Sequence, residues 1–403
     1  MGVSCLSVSR ALFLLSVARS VIAGPYVLHQ TNIGSDFLSN FQWENISDPT
    51  NGRVEYVTQE TALAENLTYT TSDSFVMRAD DTTRLSADGP GRKSNRIKSN
   101  EQYNTHVAVF DIRHMPEGCA TWPALWEADD TVGTAAGEID ILEGVNDVEP
   151  DSVTVHTLGT CTMPSNRTML GTSLSNDCSS SNEIENGNNG CSVNAPYTSS
   201  YGPTFNTYGG GYYAVERTAE FIRVWFWSRN GTNIPSDITS GSGSINTDNW
   251  GKPIADFPDT DCDISKVFGD NNIIIDLTFC GNWAGDAFNP AGCPGNCTDY
   301  VNNNPSAFSN AYWDFAAARI YLTSSSSSSN SSSSASKSMS ATSVSSSQSA
   351  SGSVSSSSKL EAHASSAVSA SYGIMSGQGF MARLFSLPVF IALFVLGCGF
   401  MIA

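Results

Sequence analysis

Three carboxylates lie within one short apolar segment of the chain. Residues 137–144 read GEIDILEG, so Glu138, Asp140 and Glu143 stand among isoleucine and leucine between two glycines. A buried strand normally excludes charge, because an ionised side chain loses its hydration there. Carboxylates in such a setting are candidates for acid, base or nucleophilic chemistry. A calcium site or a solvated strand edge would account for the same residues.

The spacing of these acids predicts how they face one another. Glu138 and Asp140 are two residues apart and share one face of a strand, whereas a regular strand would turn Glu143 to the other face. One β-bulge would return Glu143 to the face of the other two. Mutual repulsion then raises at least one pKa. An ionised carboxylate beside a protonated carboxylic acid is the pair that glycoside hydrolysis uses.

The elements around this segment are predicted to be strands. Residues 105–113, 220–228 and 272–279 are rich in β-branched and aromatic side chains, and residues 311–321 are predicted to form a closing strand. Long polar loops, notably residues 162–208, separate these runs, and helical patterns are few. The sequence therefore predicts an all-β sandwich or barrel that forms a single domain over residues 24–323.

Both ends of the chain carry targeting signals. Residues 1–23 contain Arg10, the apolar run ALFLLSVA and a small residue at Ala23, which predicts a secretory signal peptide. The last twenty residues are apolar and follow small residues and a polar spacer, so residues 372–403 are predicted to be a GPI-anchor signal that is removed. A tail anchor or single membrane span is the alternative. We expect the protein on the outer face of the plasma membrane or in the cell wall.

Residues 324–371 are dominated by serine and lack the apolar side chains that a core requires, which predicts a disordered stalk. The stalk could be O-glycosylated or an inert linker. The whole chain carries 20 Lys and Arg against 39 Asp and Glu, a net charge of −19. Such a charge argues against nucleic acid as a partner and against docking on anionic lipid.

The cysteines and glycosylation sequons agree with secretion. The eight cysteines of the predicted domain are expected to form disulfides, with local pairing of Cys178 with Cys191 and of Cys293 with Cys297 as candidates. The sequence contains no CxxC pair, which argues against a zinc site. Sequons predict N-glycosylation on the surface. They occur at Asn45, Asn66, Asn166, Asn230, Asn296 and Asn330.

Further motifs flank the acidic segment in a fixed order. They read WPALW at 122–126, VHT at 155–157, RVWFW at 223–227, IDLTFCGNWAG at 275–285 and AYWD at 311–314. Together with residues 137–146 they closely resemble glycoside hydrolase family 16, in its fungal laminarinase or mixed-linkage β-glucanase branch. The resemblance covers almost the whole domain. It implies a concanavalin-like β-jelly-roll sandwich whose concave face forms an open substrate cleft.

The resemblance also implies residue roles. Glu138 matches the nucleophile, Glu143 the general acid/base, and Asp140 an assisting residue between them. His156 resembles the cleft histidine beside the acid/base. The family retains anomeric configuration, so the carboxyl groups of Glu138 and Glu143 are expected about 5–5.5 Å apart.

Tryptophans are the candidate substrate-binding residues. Trp126, Trp122 and Trp283 resemble cleft positions, where a flat ring suits the apolar face of glucose, although core packing is the alternative for the first two. Trp225 and Trp227 share one strand face, where core packing or a place on the convex sheet is the alternative to sugar contact. Glu127 to Asp129 and Asn282 depart from the family pattern, which puts the subsite preference in doubt but not the catalytic pair.

These features predict an endo-acting hydrolase of β-1,3 or mixed β-1,3/1,4-glucans. One alternative is a cell-wall transglycosylase, but fungal wall transglycosylases of this family resemble a bulge-free motif with one residue fewer. The other is a non-catalytic glucan-binding wall protein, for which three intact acids are not needed. We expect a monomer that uses no cofactor and no metal.

Overall fold

The computed structural model describes residues 25–129, 131–180 and 190–324. The predicted signal peptide, the serine-rich segment after Ser324, the predicted anchor signal and Asn330 lie outside these residues. In the described part the strands are β1 Tyr26–Asn32, β2 Phe41–Trp43, β3 Val54–Tyr56, β4 Thr68–Thr70, β5 Phe75–Arg78, β6 Arg92–Ser94, β7 Arg96–Ser99, β8 His106–His114, β9 Thr121–Ala128, β10 Glu138–Glu143, β11 Ser152–His156, β12 Thr172–Ser173, β13 Cys191–Asn194, β14 Gly211–Arg217, β15 Phe221–Ser228, β16 Ser244–Ile245, β17 Ala255–Pro258, β18 Asn272–Phe279 and β19 Tyr312–Thr323.

The helices are short. They are α1 Asp36–Asn40, α2 Gln59–Ala64, α3 Gly202–Thr207, α4 Ser236–Ser240, α5 Ile264–Val267 and α6 Cys297–Asn303. Single turns of tighter or wider helix occur at Gly133–Ala136, Thr198–Ser200, Thr247–Asn249, Gly281–Gly285 and Pro305–Phe308. No helix among the described residues is long and apolar enough to cross a bilayer.

The strands form two large sheets. The first has the order β16-β1-β19-β8-β14-β15-β17, with β5 also pairing with β19 and β4 with β5. The second has the order β12-β13-β11-β10-β9-β18-β7-β2. Neighbouring strands in both sheets are antiparallel, whereas β3 and β6 form a separate parallel pair. This is the β-jelly-roll sandwich that the sequence predicted.

The main core lies between the two sheets. Phe110 and Val224 of the first sheet and Ile139 and Ile275 of the second are fully buried in one apolar cluster. Since side chains alternate along a strand, the opposite face of the second sheet is free to carry polar and aromatic residues. That outer face carries the candidate site.

The four predicted strands are present with bounds within two residues of expectation. The long loop predicted at residues 162–208 is wrong in part, since it contains β12, β13 and α3. Strands of two and four residues are too short to show a period in a Ser- and Asn-rich segment. A disulfide from β13 to Cys178 holds this region instead of an apolar stripe.

All eight cysteines of the predicted domain form disulfides, so that prediction is confirmed and a zinc site among them is excluded. The pairs are Cys119–Cys293, Cys161–Cys262, Cys178–Cys191 and Cys280–Cys297. The local pairing of Cys178 with Cys191 is confirmed. Pairing of Cys293 with Cys297 is wrong, because each contacts a different distant segment: the end of β18 for Cys297, and the loop before β9 for Cys293.

Glu127 lies in the interior and not in a cleft. It is 1% exposed, and its Oε1 is 2.9 Å from Nε2 of His106 on the facing sheet. The imidazole is fully buried. The departure from the family pattern at Glu127 therefore lies between the two sheets, which this side chain joins, and not in the cleft.

Candidate active site

The acidic segment forms β10, and its pairing contains the predicted bulge. Against β9, Asp140 pairs with Trp126 and Leu142 with Leu125, so Ile141 is the inserted residue. The bulge is confirmed. It places Glu138, Asp140 and Glu143 in one cleft on the outer face of the second sheet. The remaining cleft residues are Asp48, Pro49, Thr50, Tyr56, Arg96, Trp122, Ala124, Trp126, Asp276 and Thr278.

Glu143 is held at the side chain and at the backbone. The indole N–H of Trp122 donates to its Oε1 over 2.7 Å, and its own backbone N–H donates to Oδ1 of Asp151 over 2.9 Å. Burial and the neighbouring charge of Asp140 raise the pKa of Glu143 well above its usual range. The Trp122 hydrogen bond opposes that rise, because it favours the carboxylate. Burial and the Asp140 charge outweigh the hydrogen bond, so the balance favours the protonated acid.

Asp140 is the most enclosed of the three acids, at 4% exposure. Burial, with the charges of Asp151 and Asp276 nearby, raises the pKa of Asp140 to about 8. The Nε2 atom of His156 lies 3.3 Å from Asp140 Oδ2 and 4.0 Å from Glu138 Oε1. These contacts tie the three side chains into one polar cluster.

His156 lies in this polar cluster, and the role that the resemblance implies for it stays a prediction. It stands opposite Glu138 in the ladder between β10 and β11, at the other end of β10 from Glu143. Its charge nevertheless lowers the pKa of Glu143. His156 therefore lies within contact distance of Glu138 and Asp140.

The predicted tryptophans lie along one side of the cleft. Trp122 and Trp126 on β9 are partly exposed and line it, which favours the cleft over core packing. Trp283 is 37% exposed and meets Trp122 edge-on, with ring centroids 5.5 Å apart. Asn282, beside it, accepts a hydrogen bond from Asn51. Their contact with a sugar remains a prediction.

Trp225 and Trp227 lie outside this cleft, on β15 of the first sheet. Both meet Trp250 edge-on, with ring centroids 5.3 and 5.6 Å apart. Trp225 is 3% exposed. The structure therefore supports packing against Trp250, and not a place in this cleft, for Trp225 and Trp227.

The sequence missed several residues that build the site. Arg96 on β7 stacks over Trp126 at 4.9 Å and donates to Asp276, which also accepts from the Trp126 indole over 3.2 Å. Burial raises the pKa of Asp276 to about 6, with Arg96 opposing. An aspartate inside the apolar run at 272–279 was a signal of the same kind as the acidic segment. Arg96 and Asp151 carried no comparable signal.

Glu138, Asp140 and His156 together form a donor set that could hold a cation. One ligand atom from each of Glu138, Asp140 and His156 lies within 4.8 Å of the others. Two carboxylates and an imidazole suit a transition metal better than calcium. The same atoms are those that the acid chemistry would use.

The fold and this site define a class of carbohydrate-active enzyme. Its members are β-sandwiches with an outward-facing cleft that is lined by tryptophans and carboxylic acids. Residues 41–321 match the family model described as the XgeA-like catalytic domain of glycoside hydrolase family 16. The chain belongs to glycoside hydrolase family 16.

Individual relatives agree with this assignment. A probable endo-1,3(4)-beta-glucanase of Aspergillus niger is 40% identical over 323 residues, covering 78% of this chain and 42% of its own length. This chain therefore matches less than half of that relative. The solved laminarinase 16A from Phanerochaete chrysosporium is 58% identical with a TM-score of 0.73, covering 74% of this chain and 100% of that one. An elongating family 16 β-1,3-glucosyltransferase is 38% identical with a TM-score of 0.68, at coverages of 74% and 100%.

Proposed function

We propose that the domain hydrolyses internal bonds of β-1,3-glucans and mixed β-1,3/1,4-glucans by a retaining double displacement. The observation that carries this proposal is the bulged strand β10, which gathers Glu138, Asp140 and Glu143 in one aromatic-walled cleft. The relatives named as endo-1,3(4)-beta-glucanase and laminarinase support the substrate class.

Glu138 acts as the nucleophile and Glu143 as the acid/base. In the first step Glu143 gives its proton to the glycosidic oxygen, the bond from that oxygen to the anomeric carbon breaks, and Glu138 forms an ester with that carbon. In the second step Glu143 takes a proton from water, whose oxygen displaces Glu138. The raised pKa of Glu143 supports the first role, because the acid must start protonated.

Asp140 and His156 assist the nucleophile. The pKa of Asp140 is raised to about 8, so Asp140 carries a proton at neutral pH. Of Asp140 and Glu138, Glu138 is then the carboxylate that attacks the sugar. The imidazole of His156, whose Nε2 lies 4.0 Å from Glu138 Oε1, orients that carboxylate. Trp126, Trp122 and Trp283 bind glucose rings through their flat faces.

Product analysis on laminarin and on mixed-linkage glucan tests the reaction, with Glu138→Ala as the inactive control. Short oligosaccharides, released first in the β-anomeric form by NMR, support retaining hydrolysis. The relative yields on the two polymers give the linkage preference. If oligosaccharides are instead lengthened, the protein is a transglycosylase, as the 38% identical family 16 relative named an elongating β-1,3-glucosyltransferase is. Binding without any product would refute an enzymatic role.

We also propose that the enzyme is a secreted monomer held by a GPI anchor at the outer face of the membrane or in the wall. Four disulfides suit the oxidising secretory pathway, and the serine-rich segment would hold the domain away from the surface. Release of the protein from intact cells by phosphatidylinositol-specific phospholipase C tests the anchor. Sedimentation of the released protein tests the monomer.

A further inference from the structure

A further buried carboxyl group, that of Asp151, lies beside the end of the strand that carries Glu143. Asp151, just before β11, is fully buried, and its Oδ1 accepts the backbone N–H of Glu143 over 2.9 Å. The Tyr213 hydroxyl lies 3.2 Å from Asp151 Oδ2 and 2.6 Å from the Ser200 carbonyl oxygen, so the two oxygens share its one proton. The backbone N–H of Asp151 donates in turn to Ser200. Asp151 is thus anchored on three sides and faces the main chain of Glu143.

The strand pairing explains why this position matters. The ladder between β10 and β11 covers Glu138 to Asp140, before the bulge at Ile141. Beyond the bulge, the backbone N–H of Glu143 points to the β11 side of the strand, where the ladder no longer supplies a carbonyl acceptor. The Asp151 carboxyl supplies the acceptor there, in place of a strand carbonyl. A bulge bends its strand locally, so the backbone direction at Glu143 depends on what holds the residues after it.

We propose that Asp151 is a positioning residue for Glu143: it holds the main chain beyond the bulge so that the Glu143 carboxyl meets the glycosidic oxygen. This inference rests on the proposed function, in which Glu143 is the acid/base. Asp151 acts through the backbone of Glu143 and needs no contact with the sugar.

A purely structural role is the alternative to be separated. The chain offers a matched carboxylate for this purpose, since Glu216 is 1% exposed and accepts a tyrosine hydroxyl, that of Tyr26, over 2.8 Å. Glu216 lies on β14 of the first sheet, away from the cleft. Glu216→Gln therefore reports the effect of a comparable buried change without touching β10.

Two substrates separate positioning of the acid from general damage. Laminarin needs a proton on its leaving oxygen, whereas a β-1,3-glucan oligosaccharide with a dinitrophenyl leaving group does not, because dinitrophenolate is already a stable anion. The value of kcat/KM reports the steps up to bond cleavage. Glu143→Ala is thus expected to lose kcat/KM on laminarin selectively.

For the full-length protein, Asp151→Ala is expected to lower kcat/KM on laminarin about 10²-fold, the usual cost of misplacing a catalytic group by about 1 Å. The dinitrophenyl substrate is expected to change by less than about threefold, since it does not need the acid. Asp151→Asn keeps an acceptor oxygen and should recover at least about tenfold of the loss on laminarin. Glu216→Gln should leave both substrates at wild-type values.

The inference is overturned if folded Asp151→Ala retains wild-type kcat/KM on laminarin or loses both substrates equally. Should Asp151→Ala not fold, Tyr213→Phe takes its place, since it removes the hydroxyl that the Asp151 carboxyl shares with the Ser200 carbonyl oxygen. A selective loss on laminarin then supports positioning, and an equal loss or none overturns it. If Glu143→Ala itself shows no selective loss, the proposed function is wrong; if only the Asp151 variant lacks it, this inference alone is wrong.

Discussion

The hydrogen bond from Trp122 to Glu143 offers a direct test of how the site tunes its acid. The indole N–H donates to Glu143 Oε1 over 2.7 Å, which favours the ionised carboxylate and lowers its pKa. Trp122→Phe removes this donor and keeps an aromatic ring in the cleft. The pKa of Glu143 should therefore rise further, because burial and Asp140 then act with less opposition.

The size of the shift follows from the two protonation states. A hydrogen bond to a charged group is worth about 1.5–3 kcal/mol and one to a neutral group about 0.5–1.5 kcal/mol. The indole thus favours the carboxylate over the acid by about 1–1.5 kcal/mol, or about one pKa unit at 1.36 kcal/mol per unit. A general acid works only when protonated, so the alkaline limb of the rate profile should move up by about one pH unit.

The assay is kcat/KM on laminarin as a function of pH for wild type, Trp122→Phe and Trp126→Phe. Trp126 lies on the same strand and face, but its indole donates to Asp276. Its variant should therefore weaken substrate binding with a much smaller movement of the alkaline limb. An alkaline limb that stays in place or moves to lower pH in Trp122→Phe would refute both the tuning and the assignment of Glu143 as the acid.

Three further predictions concern the interior, the cleft wall and cations. Glu127→Gln should lower the free energy of unfolding by about 1–1.5 kcal/mol in urea titrations, since the buried His106 exchanges a hydrogen bond to a carboxylate for one to a neutral amide, while kcat stays unchanged. Trp283→Ala should raise KM about fivefold, equivalent to about 1 kcal/mol of lost aromatic contact, with kcat unchanged; a lower kcat at constant KM would contradict a binding role. EDTA should leave kcat unaltered, and a loss that zinc or manganese restores would show that Glu138, Asp140 and His156 hold a catalytic cation.

The sequence by itself determined the features that depend on local periodicity. A spacing of two and then three residues among Glu138, Asp140 and Glu143 required a bulge if all three were to share a face, and the bulge is present. The same parity could have excluded Glu127 from the cleft, because it follows the cleft residue Trp126 and must point to the opposite side. The oxidised cysteines and the main strands were likewise readable from composition and spacing.

Tertiary structure alone decided which distant residues meet. Arg96 and Asp276 stand 180 positions apart in the chain and share an ion pair beside Trp126, because β7, β18 and β9 are neighbours in one sheet. Packing of the two sheets brought Tyr213 of the first sheet to Asp151, and the course of two loops brought Cys119 to Cys293. No local pattern encodes such contacts, since side-chain period reports only which face a residue takes. Which strands adjoin, and therefore which charges lie close enough to shift a pKa, is set by packing of the whole sandwich.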